Sequence, residues 1–499
     1  MMKGAMIDCS RLLERHAYYR DLIAFMAQWE LNTLLLHFSD DFGCAVELPG
    51  FKHLAMPEAF TAAEIRSLVR FAADKGVDVI PELETFGHTR FITDHPRYAG
   101  LSAATSTRTL EYGALDPLNP ATFALIERLI RATAHLFPSQ YLHIGCDEVN
   151  LKAYCEPRGL DETATWTTYV NRVIDLVCKQ GKTPMLWGDH PVADRRIAAG
   201  LRKDAVLVHW SYGADARATP IRTLKAAGFR TLVLAPSLAC VGTQTLPTRR
   251  NLENTRRLCR YALRYRARGV INTLWAPWRY YQETMYYGIA FTAARLRTRG
   301  PFRLAAFHRE FSRKVFGTEL TPALNRFLTQ APAMEIPRPL YRKIFNRATA
   351  FSPEEIALLE AVNATGNELA RHAAAYTPTA NVAIWNAMVL AVKSVWLCSE
   401  SVLLGLRQGD ATRIARYHRL RRDVRREAAA DWDRTRFASD PQKRKPKFPN
   451  WGDQYLLHLM NRLRLSWRTP LSSPCSRRRR RPRVSRAPAE SRKRGRGSR

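Results

Sequence analysis

No Cys-x-x-Cys pair occurs in this chain. Its nine cysteines, at positions 9, 44, 146, 155, 178, 240, 259, 398 and 475, are odd in number and widely spaced. That pattern argues against a zinc ribbon and a disulfide framework, and free thiols in a reducing compartment are expected. Motifs of several enzyme classes are missing as well. There is no His-x-His pair to open an amidohydrolase metal site, no His-Glu-x-x-His and no Gly-x-Ser-x-Gly elbow. Gly181-Lys182-Thr183 looks like the end of a phosphate loop, but the position of the required first glycine is Leu176. No uninterrupted apolar run reaches the roughly 18 residues of a membrane span. The best candidate, Asn381 to Cys398, contains Asn386 and Lys393 and reads as a buried helix. Met1 to Asp8 lack the apolar stretch and cleavage site of a signal peptide. A cytoplasmic location is therefore expected, with a lost upstream leader or domain left open.

What is present is a chain of 499 residues, 46% apolar, enough for a sizeable core. The net charge is +33 and unevenly spread: the last 29 residues hold 12 Lys/Arg against one acid, Glu490. The remainder is still basic, which favours acidic partners or surfaces but says nothing about fold.

Eight short apolar runs recur, each followed by a turn and a helical stretch. They are Gly4–Asp8, Thr33–Phe38, Val77–Pro81, Tyr141–Gly145, Thr183–Trp187, Ala205–Trp210, Thr231–Ala235 and Val270–Trp275. Several are rich in Val, Ile and Leu on both faces, as buried parallel strands are. Between them the spacing is helical: in Tyr18–Trp29, residues Leu22, Ile23, Phe25, Met26 and Trp29 share a face. This alternation predicts a (β/α)8 TIM barrel over residues 1–325, with a doubly wound open sheet as the alternative. After about residue 320 strand signals stop. Ser352-Pro353-Glu354-Glu355 has a helix start's N-cap, first-turn proline and first-turn acids. Helical spacing continues to about Glu427, broken near Thr377-Pro378-Thr379. Asp440–Pro449 reads as a loop and Asp453–Leu465 as a last short helix. Residues 326–470 are therefore expected to form a helical region. The Arg/Ser/Pro-rich tail, 471–499, is expected to be disordered. It is expected to bind polyanions non-specifically, with no specific nucleic-acid partner and no membrane span expected.

The chemistry gathers at the C-terminal ends of the predicted strands, where such barrels keep their active sites. Strand 4 ends His143-Ile144-Gly145-Cys146-Asp147-Glu148. Adjacent carboxylates repel, which helps keep one of them protonated in a partly buried site. Strand 2 ends His37-Phe38-Ser39-Asp40-Asp41, and strand 3 ends Glu82-Leu83-Glu84-Thr85-Phe86-Gly87-His88. Strands 5, 6 and 8 end in Trp187, Trp210 and Trp275. Aromatic faces pack on the C–H faces of sugar rings while carboxylates and Arg take the hydroxyls. Together these ends describe a carbohydrate site containing an acid.

At these residues the sequence resembles the catalytic domain of glycoside hydrolase family 20, the β-N-acetylhexosaminidases. The resemblance runs through Gly4-Ala5-Met6-Ile7-Asp8-Cys9-Ser10-Arg11, Asn32 to Asp41, Val79 to His88 and His143 to Glu148, and covers roughly residues 3 to 300. It implies removal of terminal β-linked N-acetylhexosamine by substrate-assisted, retaining catalysis through an oxazolinium ion, without metal or cofactor. Glu148 would be the general acid and base. Asp147 would hold the acetamido N–H, and His88, oriented by Asp40, would tune Glu148. Arg11, His37 and Glu84 would serve the substrate site, and Trp187, Trp210 and Trp275 would enclose the sugar. Adjacent strand residues point opposite ways, so Asp147 and Glu148 share a pocket only if the strand end turns there.

Departures from the family pattern are visible. Cys146 replaces the usual second glycine, and Glu84 stands where many members have Asp. The usual strand 7 Tyr and Asp are missing, with Ser237-Leu238-Ala239-Cys240 nearby. Pro277 replaces the usual Glu after Trp275. Tyr212, Trp278, Arg279, Tyr280 and Glu283 are candidate substitutes. Two other readings stay open: a weakly active carbohydrate-binding relative, and a nucleic-acid-associated protein working through its tail.

Overall fold

The computed structural model describes residues 1–103, 113–240, 246–298, 300–407, 410–437 and 456–463. The loop expected at 440–449 and the tail at 471–499 lie outside the described residues. Strands β1 (Met2–Asp8), β2 (Thr33–His37), β3 (Asp78–Glu82), β4 (Tyr141–His143), β5 (Thr183–Trp187), β6 (Val206–Trp210), β7 (Leu232–Ala235) and β8 (Gly269–Leu274) lie parallel in chain order. The sheet closes where β1 pairs with β8, from Met2 against Gly269 to Ile7 against Leu274. The expected (β/α)8 barrel is thus present, and the open-sheet alternative falls because the two edge strands pair.

The reason is readable residue by residue. Met6, Leu35, Ile80, Met185, Val208, Val233 and Ile271 point inward and fill the barrel as one buried cluster. Their strand neighbours Ile7, Leu34, Leu36, Val79, Leu186, Leu207 and Leu234 point outward into the larger cluster under the helices. Both faces of every strand are dry, so the runs are apolar throughout. The surrounding helices include α1 (His16–Gln28), α2 (Ala62–Asp74), α3 (Pro120–Leu136), α4 (Glu162–Lys179), α5 (Thr219–Ala226), α6 (Arg249–Arg264) and α7 (Met285–Arg297).

Beyond the barrel, α8 (Pro353–Ala374) starts at Ser352, whose hydroxyl accepts from the Glu355 N–H while Glu355 reaches back to the Ser352 N–H. Next come α9 (Val382–Arg407) and α10 (Ala411–Thr435). Helix α9 is apolar and long enough to cross a membrane by composition, yet 89% of that window is buried within the protein. It is the helical region's core element. That region also braces the loop after β8. Arg436 is fully buried and donates from Nη2 to the Pro277 carbonyl at 2.7 Å. Arg434 pairs with Glu283, and the Tyr281 and Ser394 hydroxyls share a 2.8 Å hydrogen bond.

Candidate active site

The site is assembled on the C-terminal rim of the barrel. After β2 a tight ribbon, Ser39–Asp40 against Gly43–Cys44, folds the chain back and buries Asp40. Its Oδ2 lies 2.7 Å from Arg11 Nη2, 3.3 Å from His88 Nδ1 and 3.5 Å from His37 Nε2. Burial alone would raise the Asp40 carboxyl, but the Arg11 guanidinium and the two histidines pull it well below the usual range. Arg11 is fixed from its other side by Asp8, with Nη1 to Oδ2 at 2.9 Å. The same Asp8 carboxylate accepts from the Ala276 N–H at 2.8 Å, which joins β1 to the loop after β8.

Strand β4 stops at His143, two residues before its expected end, and the chain then turns sharply. Gly145, Cys146 and Glu148 have φ of +65°, +72° and +50°. Left-handed backbone at two residues with a Cβ is strain of the kind held at functional sites. It aims the neighbouring carboxylates at one partner: His88 Nε2 is 3.5 Å from Glu148 Oε2 and 3.8 Å from Asp147 Oδ2. His88 is itself left-handed, at +51°, and follows Gly87, where any Cβ would overlap the Asp147 carbonyl. Two residues past the end of β5, Asp189 accepts the Glu148 N–H at 3.0 Å and holds the turn.

The electrostatics separate the two carboxyls. Asp147 is buried, which pushes it up to about 8 against the charge of His88, with Asp189 and Glu148 adding to the rise. Glu148 is more open, its side chain 42% exposed. Partial burial would raise it, but its hydrogen bond to His88 and the charges of His88 and Arg11 draw it below the usual value. Burial would lower His88, yet Asp147, Asp41, Glu148 and Asp40 hold it well above an ordinary imidazole.

Trp275 packs its ring against His37 at 4.9 Å and under the Arg11 guanidinium at 5.0 Å, and its Nε1 donates to the Tyr212 hydroxyl at 2.8 Å. Trp210 stacks on Tyr212 at 5.1 Å. Three residues expected at the sugar lie lower. His37 is 1% exposed, Glu84 and Trp187 are 0% exposed. They are closed over by neighbouring side chains at the top of the barrel, with the Trp187 ring 5.8 Å from that of Trp275. Trp187 Nε1 donates to Glu82 Oε1 at 2.6 Å, and His37 Nδ1 sits 3.1 Å from Glu82 Oε2. Glu84 presses on Gly145, and burial, with Asp147 nearby, raises its carboxyl.

The structure therefore brings Glu148, Asp147, His88, Asp40, Arg11, Trp210 and Trp275 to one rim. Among the candidate substitutes, Tyr212 joins them, and Arg279 is buried near Cys240 and Arg11. Trp278 packs on Phe42, and Glu283 faces Arg434, away from the site. Sequence reasoning missed Asp8, Glu82 and Asp189 as supporting acids. Each stands at a strand end, and that was the available signal. Among the described residues, His37, Glu82 and Glu84, and likewise His88, Asp147 and Glu148, bring donor atoms within 4.8 Å. Histidine–carboxylate pairing accounts for the closeness in both.

The closed parallel barrel, with a buried carboxylate–histidine cluster and aromatic side chains on its C-terminal rim, places this chain among the (β/α)8 barrels. A sequence model of the glycosyl hydrolase family 20 catalytic domain matches residues 2–252. The chain belongs to that family. It is 29% identical over 245 residues to the β-hexosaminidase of Vibrio furnissii, covering 42% of this chain and 39% of that one. It is 25% identical over 256 residues to the β-hexosaminidase subunit alpha of Bos taurus, covering 47% of each. These alignments span less than half the length of either relative. Among solved structures, the GH20 exo-β-N-acetylglucosaminidase of Vibrio harveyi superposes with a TM-score of 0.50 at 22% identity, covering 60% of this chain and 55% of that one. The Flavobacterium johnsoniae chitobiase gives 0.50 at 17%, covering 85% and 75%. These two likenesses speak to the fold.

Proposed function

We propose that this chain is a retaining β-N-acetylhexosaminidase that removes terminal β-linked N-acetylhexosamine with help from the substrate's own acetamido group. The observation that carries the reading is the left-handed turn at 145–148, which sets Asp147 and Glu148 on one histidine. In this reading the acetamido oxygen attacks the anomeric carbon while Glu148 protonates the departing oxygen. Asp147 holds the acetamido N–H and stabilises the positive charge that develops there. Glu148 then takes a proton from the water that opens the oxazolinium ring, so the β configuration is retained. His88, set by Asp40, positions Glu148; Arg11, Trp210 and Trp275 hold the sugar. Family membership, the aromatic rim and the buried acid cluster support this assignment.

A weakly active carbohydrate-binding relative is the second reading, favoured by the lack of the family's usual strand 7 Tyr and Asp around Ser237 to Cys240 and by Pro277 in place of its usual Glu. One experiment separates them. Aryl 2-acetamido-2-deoxy-β-glucoside and its galacto epimer are assayed beside the plain β-glucoside and a Glu148→Gln variant. The expected result is turnover of acetamido sugars only, reduced roughly 100- to 10,000-fold in the variant. Equal turnover of the plain glucoside refutes substrate assistance, and no turnover at all favours the binding relative.

A further inference from the structure

Helix α6, on the outside of the barrel, has two unlike faces. Asn251, Asn254, Thr255, Leu258, Cys259 and Ala262 are buried. Arg249, Arg250, Arg256, Arg257, Arg260 and Arg264 occupy the other side. At 3.6 residues per turn they fall within an arc of about 120°, along a ridge about 24 Å long. Between residues 249 and 268 the sequence holds one acid, Glu253, and it is shared by Arg256 at 2.6 Å and Arg257 at 2.8 Å. Arg249, Arg250, Arg260 and Arg264 are exposed, as are Arg266 and Arg268 just beyond the helix. Arg256 and Arg260, and again Arg260 and Arg264, are like charges one turn apart, an arrangement that works against the helix itself. The positive field carries onto the next helix: burial lowers Arg295 of α7, and the charges of Arg256 and Arg260 lower it further.

A ridge of one sign that its own helix does not neutralise calls for an anionic partner. Two features select the kind. Leu263, at the edge of the arginine arc, is 46% exposed, so the face offers an apolar side chain among guanidinium groups. Tyr261 and Tyr265 are half-buried, and each carries the guanidinium of the preceding arginine over its ring, at 5.6 Å. Single-stranded nucleic acid is held largely by stacking on open aromatic rings, and these two are already covered. An anionic bilayer suits both components. Guanidinium groups bind lipid phosphates and carboxylates, and an exposed leucine enters the boundary between headgroups and acyl chains. We propose that the outer face of α6 is a docking surface for an anionic phospholipid bilayer, with Arg260, Leu263 and Arg264 at its centre. None of these three belongs to the candidate active site, so the inference goes beyond the hydrolase reading and is tested apart from it.

The test is flotation of the full chain with vesicles of phosphatidylcholine alone and of phosphatidylcholine and phosphatidylserine in equal parts. Binding to the mixed vesicles only, weakening with added salt, is expected. Arg260→Gln/Arg264→Gln should weaken it roughly 25-fold, since each basic residue at such a surface is worth about fivefold. Leu263→Ser should weaken it roughly fivefold while leaving binding to an oligonucleotide unchanged. Arg419→Gln/Arg422→Gln removes the same charge from exposed positions on α10 and should change vesicle binding far less. All these side chains are exposed, and unchanged midpoints in urea verify that the variants fold. Absence of binding to the mixed vesicles overturns the inference, as does binding that the α6 pair leaves intact. An equal loss from the α10 pair overturns it by making net charge the cause. Tighter binding to the oligonucleotide, with no effect of Leu263→Ser on vesicles, overturns it by making the partner a nucleic acid.

Discussion

Gly145 is the position where one methyl group tests the architecture of the site. Its φ of +65° costs a residue with a Cβ roughly 1–2 kcal/mol. A Cβ there would also overlap the Glu84 carboxylate, which is fully buried and has no room to withdraw. Overpacking a filled interior adds roughly 1–3 kcal/mol. Gly145→Ala should therefore destabilise the protein by about 2–5 kcal/mol, read as a lower midpoint in urea at unchanged slope. Glu84→Asp removes one methylene from the obstructing side chain at a cost of about 1 kcal/mol. In the double variant the steric part should vanish and only the backbone part remain, a favourable coupling of roughly 1–3 kcal/mol. Turnover should fall in Gly145→Ala by about 100-fold, because the turn that carries Asp147 and Glu148 shifts. A single-variant cost below about 1 kcal/mol, or zero coupling with Glu84→Asp, refutes the argument that the two residues are fitted to each other.

Two other perturbations read different parts of the frame. Asp8 accepts from the Ser10 hydroxyl, the Arg11 N–H and guanidinium and the Ala276 N–H, all at 2.8–3.1 Å. Asp8→Asn sets an amide against those donors and should cost about 3–5 kcal/mol while raising KM through a loosened Arg11, measured by denaturation and steady-state kinetics. Glu14 is fully buried, and burial raises its carboxyl to about 7, against the pull of Arg436 and the Tyr19 hydroxyl. An acid raised on folding lends stability below its unfolded value of 4.5 and loses it as pH rises through about 7. Relative to Glu14→Gln, the native chain should therefore lose up to about 3 kcal/mol across that window, and parallel stability–pH curves for the two would refute it.

The barrel was legible because both faces of each strand are buried, which leaves uninterrupted apolar runs. Seven of the eight strands end within a residue of where the runs end. β4 is the exception, and the cause is local: three left-handed residues after Ile144 draw the chain out of the sheet. Gly145 was the single hint, since Cys146 and Glu148 rarely adopt such φ. The carboxylates and His88 were legible as strand-end residues. That His37, Glu84 and Trp187 sit beneath the rim was not, because a strand end tells which residues are near the mouth but not which point inward. The segment at 334–341 was least legible of all. Pro337 and Pro339 obscure the start of the helix Arg338–Phe345, whose buried face is Leu340, Tyr341 and Ile344.

The order of the proton affinities at the carboxylate pair leads to one more prediction. Burial raises the Asp147 carboxyl to about 8 and His88 draws Glu148 below its ordinary value, so in the resting site a shared proton favours Asp147. The proposed chemistry needs the opposite arrangement, with Glu148 protonated and Asp147 charged. Both arrangements hold the same number of protons, so the substrate has only to reverse the order. An aglycone covering the half-open Glu148 strips it of water and raises its affinity, while the acetamido N–H donates to Asp147 and lowers that of its carboxyl. The free enzyme is then competent while the pair retains its shared proton. It follows that kcat/KM should fall as pH rises through about 8, a macroscopic property of the pair. Asp147→Asn leaves Glu148 as the only holder of that proton, so the limb should move from about 8 to well below neutral, even though the absolute rate is low. A native profile that stays flat through the alkaline range would mean that the proton used in catalysis does not come from this pair.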